Sequence, residues 1–119
     1  MPLRDQMRKG SSEIIILSLL AQEPMYGYQI TRELERRSAG YFNMKEGLLY
    51  PTLHRMEQEE LVASEWSTVV GRRRRKYYRL TEKGRQALMA QTAEWRTFTE
   101  RLLHLVDAPA AVTPPPVAP

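Results

Sequence analysis

The chain has 119 residues, room for one compact domain of ordinary size and too few for two full ones. Its 42% hydrophobic and 27% charged residues are those of a globular chain; with no cysteine there are no disulfides, thiolate metal sites or cysteine nucleophiles, which fits a reducing, cytoplasmic location. The 18 basic residues outnumber 14 acidic ones, and the net charge of +4 favours a polyanionic partner. That excess is local: Arg72, Arg73, Arg74, Arg75 and Lys76 are consecutive, Arg79, Lys83 and Arg85 follow closely, and residues 108–119 carry no charge.

Arg4, Arg8 and Lys9 precede an apolar run from Ile14 to Ala21, an order shared with signal peptides. No small-x-small cleavage site follows, Gln22-Glu23-Pro24 interrupts, and the run is far short of the ~20 residues of a membrane-spanning helix. A buried core helix is expected instead, capped by Ser11 or Ser12, with Glu13 in its first turn and Pro24 beyond its end.

A second helix is expected from about Tyr26 to Ser38, with Ile30 and Leu34 facing inward and the charges from Arg32 to Arg37 facing solvent. Gly40 is placed to end it in the left-handed conformation. Tyr28 has two readings, a core ring with its hydroxyl satisfied or a phosphate contact.

The third helix is expected from about Lys45 to Glu60, its inward stripe made by Leu49, Leu53 and Met56. By the rotation of a hundred degrees per residue, Pro51, His54, Arg55 and Gln58 lie opposite, with Tyr50 on the flank. Pro51 is read as early enough in the helix to be tolerated. Tyr50, His54 and Arg55 have the chemistry to bond bases and phosphates, and Pro51 to contact them by shape; the plainer reading is an ordinary solvated face.

Two strands follow, Leu61 to Thr68 and Lys76 to Leu80, with Gly71 in the connection. Three helices and a hairpin with a basic tip give the order of a winged helix-turn-helix, mainly α with a small β-hairpin. Thr81 then caps a long fourth helix in which Leu88, Trp95 and Leu102 recur every seven residues, interleaved with Gln91, Phe98 and Leu105. Such a seam has more apolar length than one small domain covers, so a second copy of the chain is the expected partner. Trp95 and Phe98 are read either as part of that interface or as a pocket for a planar hydrophobic effector.

The chain therefore divides into a DNA-binding winged helix-turn-helix at 8–80, a dimerisation helix at 81–107 and a disordered Pro/Ala-rich tail at 108–119. His54 and His104 are the only histidines, the acids are scattered, and no nucleophile-elbow, phosphate-loop or HExxH pattern occurs. Neither an enzyme nor a metal site nor a cofactor is expected.

Three stretches together resemble the PadR family of bacterial regulators: Pro24-Met25-Tyr26-Gly27-Tyr28-Gln29-Ile30, the run from Glu46 through Tyr50-Pro51-Thr52-Leu53-His54-Arg55-Met56 to Glu57, and the run from Gly71 through Arg75-Lys76-Tyr77-Tyr78 to Thr81. The likeness covers about residues 8 to 106. It implies a winged-helix homodimer, held by its C-terminal helix, that represses transcription and is released by a small molecule. It also implies double-stranded DNA contacts through Tyr28, Tyr50, Pro51, His54 and Arg55 and through the wing positions Gly71, Arg72, Arg73 and Lys76. Trp95 is similar in position to a tryptophan that stacks on planar drugs in multidrug-responsive relatives.

Two positions depart from that family's pattern: Leu48, where Ser or Thr is common, and Tyr26, where His is frequent. The alternative expectation is a winged helix that docks an acidic protein or RNA without reading DNA sequence. A further rival is a sensor or carrier whose chemistry lies in the aromatic seam.

Overall fold

The computed structural model describes residues 2–68 and 74–109. Its elements run α1 (Leu3–Leu20), β1 (Met25–Tyr26), α2 (Gly27–Arg37), α3 (Glu46–Gln58), β2 (Val62–Thr68), β3 (Arg74–Leu80) and α4 (Glu82–Val106).

Helix α1 starts well before the expected serine caps. Ser11 and Ser12 lie inside it, and their hydroxyls donate to the carbonyls of Met7 and Lys9 at 2.7 and 2.8 Å. A serine that bonds back to the preceding turn satisfies itself within a helix and no longer serves as a start signal. The aliphatic run lies where expected, with Ile16, Leu17, Leu19 and Leu20 buried.

Helix α2 begins one residue later than expected, because Met25 and Tyr26 form a short strand. That strand pairs antiparallel with β3, Met25 opposite Tyr78 and Tyr26 opposite Tyr77, giving a three-stranded sheet in the order β1-β3-β2. After α2, Ala39 and Gly40 both take positive φ, 52° and 81°, so the left-handed end expected at Gly40 is shared with its neighbour.

Helix α3 is shorter than expected by a residue at its start and two at its end. Glu60 stops it with φ 63°, and the Leu61 amide returns to the Met56 carbonyl at 2.9 Å. Pro51 lies past the first turn of α3, where its missing amide leaves the Gly47 carbonyl without its usual donor. The helix continues through Pro51, so the proline is tolerated as expected, but at the cost of that one hydrogen bond.

One core joins these elements, with Ile16, Leu17, Met25, Ile30, Leu49, Leu53, Met56 and Val62 fully enclosed. Thr81 caps α4 as expected: its hydroxyl accepts from the Gly84 amide at 2.9 Å and donates to the Glu60 carbonyl at 2.6 Å. Gly84 is buried there against the Leu61 carbonyl, which a Cβ would strike. With 25 residues, α4 is about 37 Å long. Its first half packs against α1 and β3, and its second half leaves the fold exposed.

Candidate nucleic-acid interface

The roll of α3 about its axis decides which side chains it offers to a partner. Leu49, Leu53 and Met56 are fully enclosed and fix that roll, so Tyr50, Pro51, His54 and Arg55 all reach the surface, as does Gln58. Tyr50 lies against Gly27 at the start of α2, where a Cβ would stand 2.8 Å from the tyrosine Cζ. The missing side chain at Gly27 is what leaves room for the end of the Tyr50 ring.

Arg55 is held on both sides. Its Nη1 donates to Glu13 of α1 at 2.8 Å and to Glu59 at 3.1 Å, and the Glu13 hydrogen bond is the main reason its basicity is raised. Glu13 in turn accepts from the Gln91 side chain of α4, so one carboxylate links α1, α3 and α4. A guanidinium has five N–H donors, so the bracing leaves others to meet a phosphate.

The strand register sorts the wing's cations. Directly opposite residues share a face in an antiparallel pair, as do residues two apart on a strand. Ser64 pairs with Tyr78, and Trp66 with Lys76. The Ser64 hydroxyl bonds to Glu57 of α3, and Lys76 Nζ lies 3.9 Å from the same carboxyl group, so this face looks toward α3. Arg74 shares it, with its guanidinium 5.2 Å from the Trp66 ring centre. Arg75 lies on the other face, 4.3 Å from the Tyr26 ring, which also meets Tyr77 edge to face. Gly71, Arg72 and Arg73 lie outside the described residues.

Tyr28 is exposed, which removes its core reading; Arg32 Nη1 donates to its hydroxyl at 3.0 Å and lies over its ring. Leu48, by contrast, turns inward and packs against the core.

Residues 16–90 match the transcriptional regulator PadR-like family. The chain belongs to the PadR family. It is 39% identical over 83 residues to a transcriptional regulator of Mycobacterium tuberculosis, 70% of this chain and 74% of that protein. Among solved structures it resembles a PadR-like transcription factor from Bacteroides fragilis at 36% identity and TM-score 0.71, over 87% of this chain and 97% of that one. A PadR family regulator from Eggerthella lenta is similar at 31% identity and TM-score 0.77, over 87% and 88% of the two chains. The protein is thus a PadR-like transcriptional regulator with a DNA-binding winged-helix fold, and the family and these relatives are regulators rather than enzymes.

The departures from the PadR pattern have structural roles. Tyr26, where histidine is frequent, builds the aromatic and cationic stack with Tyr77 and Arg75 on the far side of the sheet. Leu48 exchanges a hydroxyl for core packing.

The α4 seam is divided. Leu88 packs against the chain's own core, and Gln91 is occupied by Glu13. Beyond them Trp95 and Phe98 meet edge to face at 5.8 Å between ring centres, and Phe98, Leu102, Leu103, Leu105 and Val106 are exposed. Among the described residues no helix is long and apolar enough to cross a membrane, and no group of three or more His, Asp or Glu is placed to hold a metal.

Sequence reasoning passed over Glu13, Glu57 and Trp66 as parts of this region. The pattern that finds Trp66 is the strand alternation, which becomes usable only when the register across the hairpin is known.

Proposed function

We propose that the protein represses transcription as a cytoplasmic homodimer that reads a palindromic operator. The observation that carries this reading is the exposed set Tyr50, Pro51, His54 and Arg55, held on a helix whose roll is fixed by the core and flanked by a cationic wing. In the complex α3 of each protomer enters the major groove of a half-site, the two half-sites standing about one helical turn apart. Tyr28 and the wing residues Gly71, Arg72, Arg73 and Lys76 hold the flanking phosphates, and Arg55 bonds phosphate from its braced position.

Residues 8–80 form the DNA-binding unit and 81–107 the dimerisation helix, on which Trp95, Phe98, Leu102 and Leu105 meet the partner and Leu88 marks the start of the seam. A planar hydrophobic effector that separates Trp95 from Phe98 and binds better to a dimer with wrongly spaced α3 helices would release the operator.

Genomic footprinting with the purified protein, at physiological salt and with competitor DNA, tests the reading. Recovery of a short palindromic site is the expected result. Uniform weak binding that disappears with salt would replace it with an interaction module that supplies charge without reading sequence.

A further inference from the structure

Trp66 is a large aromatic side chain left 58% exposed near the end of β2. Its strand position places it on the face that carries Ser64 and Lys76, the two wing residues that approach Glu57 of α3. Glu57 stands three residues after His54 and seven after Tyr50, so these three share one side of the helix. Tyr78 of β3, whose pKa is raised by burial first and then by the charges of Glu57 and Tyr50, lies on the same face of the sheet as Ser64 and Lys76.

Along this side the exposed Tyr50 and His54 of α3 are followed by Glu57, which meets Lys76 of the wing, with Trp66 opposite Lys76 and Arg74 over the indole. Core packing does not explain the indole, since neither the core nor the residues packed on it include Trp66. The one aromatic contact it makes is with the Arg74 guanidinium, a cation held over its ring rather than paired to a carboxylate in the described structure. An exposed ring with a single N–H donor, set between two cations beside a DNA-reading helix, matches a sugar and its phosphate: apolar ring edge for the deoxyribose, N–H and guanidinium for the phosphate oxygens.

We infer that Trp66 and Arg74 form a further contact with the DNA backbone, flanking the groove that α3 enters. The contact rests on the operator-binding reading and adds to it a site below the wing tip. The indole positions the duplex against the wing, and Arg74 supplies the charge.

The test uses the full chain labelled with 5-fluorotryptophan, which carries two fluorine signals, from Trp66 and Trp95; Trp66→Phe identifies the first. The probe is the duplex recovered by footprinting, with a fluorescent label whose anisotropy reports saturation independently. On saturation the Trp66 signal is expected to move and to lose its solvent isotope shift between H2O and D2O. Trp66→Phe, which keeps a ring and loses the N–H, is expected to weaken binding about fivefold without changing the salt dependence. Arg74→Ala is expected to flatten the log-log salt slope by about 0.9, the contribution of one neutralised phosphate. A saturated complex whose Trp66 signal stays in place and solvent-exposed overturns this inference and leaves operator binding intact. Failure of footprinting to recover any duplex overturns both.

Discussion

The Arg55 guanidinium and the Glu13 carboxylate meet at 2.8 Å across 42 residues of sequence, joining α3 to the first helix of the fold. Gln91 of α4 reaches the same carboxylate, so the long helix and α3 share an anchor. Glu13 is mostly covered and Arg55 about half exposed, which keeps the expected coupling small. Urea unfolding of the parent, Glu13→Ala, Arg55→Ala and the double variant should give a coupling energy of about 0.5–1 kcal/mol. Additive losses would mean that the pair contributes no tether.

Gly27 and Tyr50 make the second close approach at the interface. A Cβ at residue 27 would stand 2.8 Å from Cζ and 2.9 Å from Cε1 of the Tyr50 ring, too near for the ring to stay. Tyr50 is 44% exposed and its ring can swing into solvent, so Gly27→Ala is expected to change stability by less than about 1 kcal/mol and to weaken DNA binding by moving Tyr50. Tyr50→Ala alone should weaken DNA binding to a similar degree. Thermal melts and binding isotherms on both variants check this, and a Gly27→Ala protein that binds DNA as tightly as the parent would show that the ring's placement against Gly27 does not serve the contact.

The exposed half of α4 leads to a prediction about assembly. Phe98, Leu102 and Leu105 are uncovered in the single chain, so a charge there costs little until a partner arrives. Burying an unpaired carboxylate in an apolar contact costs several kcal/mol, enough to dissociate a dimer at micromolar concentration. Leu102→Glu should sediment as a monomer with unchanged helix content while the parent sediments as a dimer. Parent protein that sediments as a monomer would remove the seam from the mechanism.

The parts visible from sequence were those that repeat at short range. Leu49, Leu53 and Met56 declare the inner side of α3 by spacing alone, and the opposite face follows from the same rotation. Thr81 followed by Glu82 marks the start of α4 by the same local chemistry. What sequence reasoning missed depends on partners far away in the chain. The two-residue strand at Met25 and Tyr26 exists only because Tyr77 and Tyr78 lie beside it, and no two-residue pattern announces that pairing. Ser11 and Ser12 carry the right chemistry for a cap, yet they bond back to the preceding turn and leave α1 free to begin at Leu3. The basic run looked uniform as a string, and only the register separates Arg74 and Lys76 on the α3 side from Arg75 on the other.

Tyr78 gives the fold a sensitivity to alkaline pH. Burial raises its pKa above the ordinary 10, and the nearby Glu57 and Tyr50 push in the same direction. A raised pKa means that the folded state keeps the proton when the unfolded chain has begun to release it. The stability this provides is fully present below about pH 10 and is lost as pH rises through the higher folded value. Since Tyr78 pairs with Met25 on one side and Ser64 on the other, its ionisation would place a charge at the centre of the sheet that carries the wing. Urea midpoints measured at about pH 8 and again near pH 11 should fall more in the parent than in Tyr78→Phe, which has no proton to lose. Equal losses in the two proteins would show that alkaline unfolding begins elsewhere and that the Tyr78 hydroxyl titrates alike in folded and unfolded chains.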